Sequence, residues 1–300
     1  MSEFNGRGLA SGKLHRVQRA LATAARAPTP LVFASPHSGR VYPEDMRACL
    51  SGLDLRRSED AFVDRLVDAA PVHGAALITA LAARAYLDVN RQAYELDPDM
   101  FVDPLPPFAD VHSPRVAAGL GSVARLISEG QHIYSRKLTF AEVQGRIDKV
   151  HTPYHEALAG LISEARAAFG FAILIDWHSM PAAAARLNGT SMPCDIILGD
   201  RHGAACHPDL TARVESDLRA MGYSVVRNIP YAGGYTTEHY GRPGTRVHAL
   251  QIEISRQLYL DESCLKLTEG FGRLKANISR LSESLAAETW DQLRYPPPLA

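Results

Sequence analysis

The sequence predicts an α/β fold, a single three-layer α/β/α domain built on a mixed, mostly parallel central sheet. The chain alternates short apolar runs, which are typical of buried strands, with amphipathic stretches, which are typical of helices. Its 300 residues can bury a large core, either as one large α/β domain or as two domains. No internal repeat, low-complexity tract or linker is evident, so we expect one domain over 1–300, with an N-terminal extension or helix at 1–28 and a frayed tail at 291–300.

The predicted strands are apolar runs that end in turn or polar residues. We expect FAILI (171–175) to be the central strand, because all five of its residues are apolar. The full set is LVFAS (31–35), ALITA (76–80), AYLDV (85–89), FAILI (171–175), DIILG (195–199), YSVVR (223–227) and HALQIEIS (248–255).

Helix boundaries follow from capping residues and prolines. Ser58 is placed to cap SEDAFVDRLVDAA (58–70), whose apolar residues fall on one face. Pro208 suits the first turn of a helix that Gly222 ends. The predicted helices are 58–70, 139–168 with an interruption at Pro153, 208–221 and 261–287. The proline-rich stretch 97–122 shows little periodicity, and irregular chain of that length is uncommon unless it lines a site.

Composition and charge narrow the class of protein. The formal net charge of −1 gives no electrostatic case for binding nucleic acid or an anionic membrane. No stretch approaches the roughly 18–20 apolar residues of a membrane span. Arg16, Arg19 and Arg26 interrupt any apolar core of a signal peptide, and the four cysteines form no CxxC pair. We therefore expect a cytoplasmic protein with reduced thiols and a small-molecule partner; the sequence indicates no oligomeric state.

Polar side chains that could act in catalysis or ligand binding follow four of the predicted strands. They are His37, Asn90–Arg91, Asp176 with His178, and Glu253. In open α/β sheets, ligands bind outside the carboxyl ends of the strands. One polar strand end is usually just the start of a loop, but four that supply histidine, arginine and glutamate indicate a site.

Two histidines and one carboxylate form the ligand set of a catalytic zinc, and a further glutamate can take a proton from water. His37 and His178 are the natural imidazoles. The carboxylate could come from Glu59 or Asp60 in the first turn of the predicted helix. Either acid alone also suits a helix N-terminus electrostatically, so this step leaves the ligand open. Iron, cobalt or manganese would fit the same ligand set.

An ordered set of motifs resembles the N-formylglutamate amidohydrolase family. The resemblance implies a zinc-carboxypeptidase-like fold, with the metal at the carboxyl edge of a mixed sheet, and hydrolysis of N-formyl-L-glutamate or another N-acyl amino acid. The motifs are ASPHSG (34–39), DAFV (60–63), YLDVNR (86–91), DWHS (176–179), PYAGGYTT (230–237) and LQIEISR (250–256).

The resemblance also implies roles for individual residues. His37, Asp60 and His178 match the ligands of one zinc ion, with Asp60 preferred over Glu59 because it stands before the motif valine. Glu253 corresponds to the general base. Asn90–Arg91 resembles a pair that holds the substrate α-carboxylate, a task that suits the planar fork of arginine.

Further roles are expected around this centre. Arg84 is a candidate to assist the oxyanion, and Asp176 to orient an imidazole. The glycines of 232–235 suggest a loop that closes over the site. Possible substrate contacts in that loop are Thr236, Thr237 and His239. Candidate partners for a substrate side-chain carboxylate are Arg242, Arg246 and Arg256.

Two other functions are consistent with parts of the sequence. Ser38 and Ser179 each stand beside a histidine, which suggests a serine hydrolase, although adjacent residues at a strand end usually point apart. A non-catalytic protein that binds an amino acid on a hydrolase-like fold is the second. His151 and His155 have helical metal-ligand spacing, but Pro153 and the missing HExxH glutamate argue against a metal there. The cluster His202, Cys206 and His207 is set aside for lack of paired cysteines.

Overall fold

The computed structural model describes residues 12–21, 27–127, 130–186 and 193–294. By the density of its internal contacts the chain divides into two compact units. The first has the bounds Met1–Arg16, His37–Glu59 and Thr79–Glu156. The second has the bounds Val17–Pro36, Asp60–Ile78 and Ala157–Ala300. The single domain over 1–300 stays a prediction.

Strands and helices alternate along much of the chain. The strands are β1 His15–Gln18, β2 Leu31–Ser35, β3 Ala76–Ala80, β4 Ala172–Met180, β5 Ile196–Gly199, β6 Val225–Arg227, β7 Val247–Ser255, β8 Leu260–Asp261 and β9 Lys266–Leu267. The α-helices are α1 Gly52–Arg56, α2 Val63–Leu66, α3 Pro114–Ala117, α4 Phe140–Arg146, α5 Thr152–Phe169, α6 Pro208–Ala220, α7 Tyr235–Tyr240 and α8 Gly270–Ala287. Short 3₁₀ turns lie at Glu44–Met46, Ala70–His73, Pro98–Met100, Ala184–Arg186, Pro243–Thr245, Arg256–Leu258 and Asp291–Arg294, and a π turn lies at Ile147–His151.

A seven-stranded sheet has the order β1-β3-β2-β4-β7-β5-β6. β4 pairs in parallel with β2 and β7, and β5 pairs in parallel with β6 but antiparallel to β7. All nine residues of β4 and all nine of β7 are buried, as expected for central strands covered on both faces. The predicted α/β fold with a mixed, mostly parallel sheet is confirmed.

Alternation along the two central strands separates the core from polar groups. Ile173, Ile175 and Trp177 of β4 and Leu250, Ile252 and Ile254 of β7 belong to a core cluster that also takes in side chains of α2, α6 and α8. Because successive strand residues point to opposite faces, Asp176 and His178 lie on the other face of β4. Predicted strand 171–175 therefore runs on through these polar residues instead of ending before them.

Residues 85–89 form no strand, contrary to the prediction. The backbone N–H groups of Tyr86 and Leu87 both bond the carbonyl of Ala83, so the chain turns here. Their side chains are nevertheless buried, together with Val89. Burial without extension explains why the apolar pattern resembled that of a strand.

The helix predicted at 58–70 is also wrong over most of its length. Ser51 caps the preceding α1, and the Ser58 hydroxyl bonds the Leu55 carbonyl instead of capping a new helix. Phe62 has a φ of 66°, a left-handed conformation that an α-helix cannot include. Only the single turn of α2, which follows Phe62, is helical.

The remaining differences lie at element boundaries. The predicted interruption of 139–168 is the π turn just before Pro153, which lacks an N–H group. α8 begins at Gly270 instead of 261, because β8 and β9 form a hairpin first. Within 1–28, where an extension or helix was expected, β1 joins the sheet. In the predicted tail, a 3₁₀ turn is formed by residues 291–294. The rest of that tail, 295–300, and parts of the N-terminal segment, 1–11 and 22–26, lie outside the described residues. In the part of the chain that is described, every helix is too short or too polar to cross a membrane.

Candidate active site

Two neighbouring strands bring a histidine and a glutamate side by side. In the parallel register of β4 and β7, His178 pairs with Glu253, and Asp176 pairs with Gln251. All four residues lie on the sheet face opposite the core cluster described above, because they alternate with its members. The carboxyl half of both strands therefore presents polar side chains to one side of the sheet.

His178 lies between two carboxylates. Its Nδ1 is 2.9 Å from Asp60 Oδ2, and its Nε2 is 3.0 Å from Asp176 Oδ2. Burial lowers the pKa of His178, but the carboxylates of Asp176, Asp60 and Glu253 outweigh it and hold that pKa well above its ordinary value. The site thus favours positive charge between His178 and Asp60.

Asp60 is held from its other side as well. Its Oδ1 accepts a hydrogen bond of 3.3 Å from Arg256 Nη2, and the Arg256 side chain is itself buried. Arg256 was a candidate partner for a substrate carboxylate. Its contacts with Asp60 and, at 3.8 Å, with Glu262 show a guanidinium already paired with two carboxylates of the chain.

His37 follows β2 and is fixed by a buried carboxylate. Its Nε2 lies 2.6 Å from Asp88 Oδ1, and because an ionised carboxylate only accepts, Nε2 carries the hydrogen. Asp88 also accepts from the Asn90 backbone N–H at 2.8 Å and from Arg84 Nη2 at 2.7 Å. Burial raises the pKa of Asp88, but Arg84, His37 and Arg91 outweigh it and hold that pKa well below its ordinary value. The ionised carboxylate thus selects the tautomer whose lone pair is on His37 Nδ1, the form in which that atom would donate to a metal ion.

One ligand atom each from His37, Asp60 and His178 lies within 4.8 Å of the others, and all three residues are buried. Two ligand atoms on one zinc ion lie up to about 4.4 Å apart, twice a zinc–ligand bond of about 2.2 Å, so binding one ion draws these atoms together by at most a few tenths of an ångström. A metal ion would also replace the His178 Nδ1 proton as the positive charge beside Asp60. The donor set therefore fits the zinc that the sequence predicts.

Glu59 faces elsewhere in the structure. Its Oε1 accepts from the Tyr42 hydroxyl at 2.7 Å, and its Oε2 accepts from Arg56 Nε at 3.3 Å. Burial raises the pKa of Glu59, and its hydrogen bonds to Tyr42 and Arg56 only partly offset this. The acid that joins the histidines is Asp60.

Glu253, the predicted general base, is buried beside this cluster in the strand register. Its Oε1 accepts a hydrogen bond of 2.8 Å from Gln251 Nε2. Gln251 in turn accepts through its Oε1 from the Gly234 backbone N–H at 2.6 Å. The carboxylate is thus held in orientation by an amide two residues earlier on the same strand.

Asn90 and Arg91 lie in a turn. Arg91 donates from Nε to the Leu120 carbonyl at 3.0 Å and from Nη1 to the Asn90 carbonyl at 2.8 Å. Burial lowers the pKa of Arg91 despite the nearby Asp88. His151 contacts the Arg91 carbonyl at 2.9 Å, which gives this histidine a structural role.

His155, one helical turn further along, contacts the Val89 carbonyl at 2.8 Å through its Nε2. Its ring lies 4.3 Å from that of His151. Together the two histidines hold the backbone on both sides of Asn90. Their helical spacing therefore serves backbone support in the residues that the structure describes.

The remaining predicted substrate contacts lie on α7. Thr236 and Thr237 are fully buried, and the His239 ring stacks on Tyr235 at 5.0 Å. Burial lowers the pKa of His239, and Arg242 lowers it further. Substrate contact by these three residues stays a prediction.

Arg242 donates to the carbonyls of Glu238 and Gly241 at the end of α7. Arg246 is exposed in a left-handed turn. Their roles as partners of a substrate carboxylate stay predictions.

The serine and cysteine candidates have other surroundings. Ser179 points to the face of β4 opposite His178, and its Oγ accepts from Arg256 Nε at 3.2 Å. Ser38 is buried. Cys206 contacts the Thr211 hydroxyl at 3.2 Å, and His207 caps α6.

Comparison with known families decides where the chain belongs. The model of the N-formylglutamate amidohydrolase family matches residues 29–260, which include every residue of the His–Asp–His cluster and Glu253. The chain belongs to this family.

Named members of the family cover most of the chain. An N-formylglutamate deformylase from Pseudomonas aeruginosa is 32% identical over 279 residues, covering 90% of this chain and 97% of that protein. One from Pseudomonas putida is 30% identical over 240 residues, covering 78% and 83%. The crystal structure of N-formylglutamate amidohydrolase from Ralstonia eutropha JMP134 aligns with a TM-score of 0.85 and 37% identity, covering 91% of this chain and 96% of that one. The predicted family resemblance is confirmed.

The contacts of two residues near the site, Asp88 and Gln251, were not predicted from the sequence. Asp88 stands inside the YLDVNR motif, but the strand predicted at 85–89 gives no sign of its contact with His37. Gln251 stands two residues before Glu253, and this period-2 spacing was the available signal that both side chains share a face.

Proposed function

We propose that the protein hydrolyses the amide bond of N-formyl-L-glutamate to formate and glutamate, using one zinc ion bound by His37, Asp60 and His178. The observation that carries the proposal is the buried His–Asp–His cluster in a chain of this family. The two Pseudomonas relatives, both N-formylglutamate deformylases by name, support this choice of substrate.

A zinc ion held there supplies Lewis acidity, which polarises the acyl carbonyl and lowers the pKa of water toward about 7. Glu253 takes a proton from the attacking water and delivers it to the departing amine nitrogen. Water thereby adds its oxygen to the formyl carbon and its hydrogen to the amine, which balances the reaction. The adjacency of Glu253 to His178 in the strand register supports this role.

Substrate orientation is assigned to Asn90, Arg91 and Arg84. Arg91 and Asn90 hold the substrate α-carboxylate, for which a guanidinium provides paired charge-assisted hydrogen bonds. Arg84 assists the developing oxyanion. The chain keeps both guanidiniums near Asp88, which supports a fixed arrangement but leaves the affinity for an anion to be measured.

The test is release of formate from N-formyl-L-glutamate, compared with N-formyl-L-glutamine and N-acetyl-L-glutamate. We expect the formyl substrate with a free side-chain carboxylate to be hydrolysed fastest. Turnover of all three at one rate would contradict the substrate assignment. Covalent labelling by a fluorophosphonate, with loss of activity, would instead establish the serine hydrolase.

A further inference from the structure

The buried side-chain amide of Gln251 connects Glu253 on β7 to the backbone before α7. Its side chain is 4% exposed, and it lies on β7 two residues before Glu253, on the same face. Nε2 donates to Glu253 Oε1 at 2.8 Å, while Oε1 accepts from the Gly234 N–H at 2.6 Å. Both hydrogen bonds are short, and both belong to the second unit.

The two partners fix the orientation of this amide. A backbone N–H can only donate, so the group that faces Gly234 must be the amide oxygen. The NH₂ group is therefore directed to Glu253, whose ionised carboxylate only accepts. If the amide were flipped, its NH₂ group would face the Gly234 N–H donor and its oxygen would face the Glu253 carboxylate, and neither hydrogen bond could form. Gln251 thus has one satisfied orientation.

The adjacent strand has the same arrangement. Asp176 pairs with Gln251 in the register of β4 and β7, and its carboxylate holds His178 Nε2 at 3.0 Å. On each strand, the residue two positions before the functional side chain holds that side chain. The repetition on two neighbouring strands indicates that Gln251 stands to Glu253 as Asp176 stands to His178.

Gly234 is where the loop from β6 enters α7, because it is the N-terminal cap of that helix. The loop is tightly packed at this point. A Cβ atom added to Gly199, at the end of β5, would lie 2.6 Å from the Gly233 backbone nitrogen. The backbone before α7 is therefore held by close packing on Gly199 and by the amide of Gln251.

We propose that Gln251 is a positioning residue, whose single amide both orients the Glu253 carboxylate and secures the entry to α7. The inference rests on the proposed function in so far as Glu253 acts as the base. Because both hydrogen bonds share one rigid amide, displacement of the α7 entry is transmitted to the carboxylate. The predicted substrate contacts Thr236 and Thr237 lie directly after this entry, so substrate binding and base orientation are coupled.

Two variants separate the two hydrogen bonds. Gln251→Glu keeps an oxygen that accepts from the Gly234 N–H but places a second carboxyl group against Glu253, and two carboxyl groups in contact cannot both be ionised. Gln251→Met keeps the length of the side chain and loses both bonds. The matched control is Ser255→Ala on the same face of β7, because the Ser255 hydroxyl is buried and has no hydrogen-bond partner among the described residues.

The readouts are kcat, KM and the exchange rate of the Gly234 amide hydrogen, all measured at one pH. In Gln251→Glu we expect kcat to fall by at least about 10- to 100-fold, because Glu253 loses the hydrogen bond to its charged form and shares a proton with the new carboxyl group, with KM and amide protection unchanged. In Gln251→Met we expect a similar fall in kcat, a higher KM and faster exchange at Gly234. Ser255→Ala should match the wild type in all three.

A wild-type kcat in Gln251→Met, or a fall that only matches the loss of folded protein in a thermal melt, would overturn the inference. Wild-type protein that releases no formate would count against the proposed function instead. In that case the amide exchange rate alone tests whether Gln251 secures the entry to α7. Faster exchange at Gly234 in Gln251→Met supports it, and unchanged exchange overturns it.

Discussion

Replacing Asp88 by asparagine tests whether this carboxylate prepares His37 to bind the proposed metal ion. The carboxylate accepts from His37 Nε2 at 2.6 Å, from Arg84 Nη2 at 2.7 Å and from the Asn90 N–H at 2.8 Å. Asparagine keeps one accepting oxygen, but its NH₂ group must then face one of these donors. The substitution therefore removes the charge that fixes the His37 tautomer and leaves a guanidinium poorly paired.

Two effects of Asp88→Asn differ in size and can be measured separately. Loss of a carboxylate that orients a metal-binding histidine typically weakens metal binding about 10- to 100-fold. Breaking a buried ion pair costs about 3–5 kcal/mol of unfolding free energy. Arg84 is partly exposed, so we expect the lower end of that range. Since domains of this kind are stable by about 5–15 kcal/mol, the variant should remain folded.

The assay is competition for zinc with a fluorescent chelator of known affinity, together with denaturant unfolding. Asp68→Asn is the matched control, because Asp68 pairs with Lys275 on the surface. We expect weaker zinc binding in Asp88→Asn and wild-type binding in Asp68→Asn. If Asp88→Asn lost stability but bound zinc as tightly as wild type, the Asp88 carboxylate would not be what fixes the His37 tautomer for metal binding.

Substitutions at Glu253, His248 and His151 each have a distinct expected outcome. Glu253→Gln should abolish nearly all formate release while zinc still binds, whereas the surface change Glu164→Gln should leave kcat unchanged; an active Glu253→Gln would exclude it as the base. Burial lowers the pKa of His248 from about 6.5 to about 4, so protonation of the unfolded chain should remove about 3 kcal/mol of stability as pH falls from 6.5 to 4. In denaturant unfolding, the unfolding free energy of His248→Gln should fall less than that of the wild type as the pH is lowered. The same fall in both proteins would contradict this. The control His112→Gln, which changes an exposed histidine, should follow the wild type. His151→Leu should raise KM more than it lowers kcat, because the backbone carbonyl that it supports belongs to the predicted α-carboxylate-binding pair; unchanged steady-state kinetics would oppose that role.

The parts of the fold that depend on hydrophobic pattern were predictable from the sequence. β2, β3, β4, β5 and β7 follow apolar runs whose burial requires a central sheet, and α6 begins and ends at residues with known capping preference. The rule that ligands bind at the carboxyl ends of strands is enough to predict that His37, His178 and Glu253 lie at one site. Their metal-binding and catalytic roles stay predictions.

The features that the sequence did not predict correctly depend on long-range contacts or on single backbone angles. Nothing local indicates that Phe62 adopts a positive φ, so the amphipathic pattern of 58–70 predicted a full helix. Residues 85–89 are apolar because they are buried in a turn, and apolar pattern cannot distinguish that from a strand. The contact between Asp88 and His37 joins residues 51 positions apart, which sequence spacing does not show.

We propose that catalysis requires one zinc ion bound by His37, Asp60 and His178. Zinc content of the purified protein should be measured together with formate release before chelation, after chelation and after zinc is restored. We expect about one zinc per chain, loss of activity with the metal and recovery when zinc returns. Formate release that continues after complete removal of metal would contradict it.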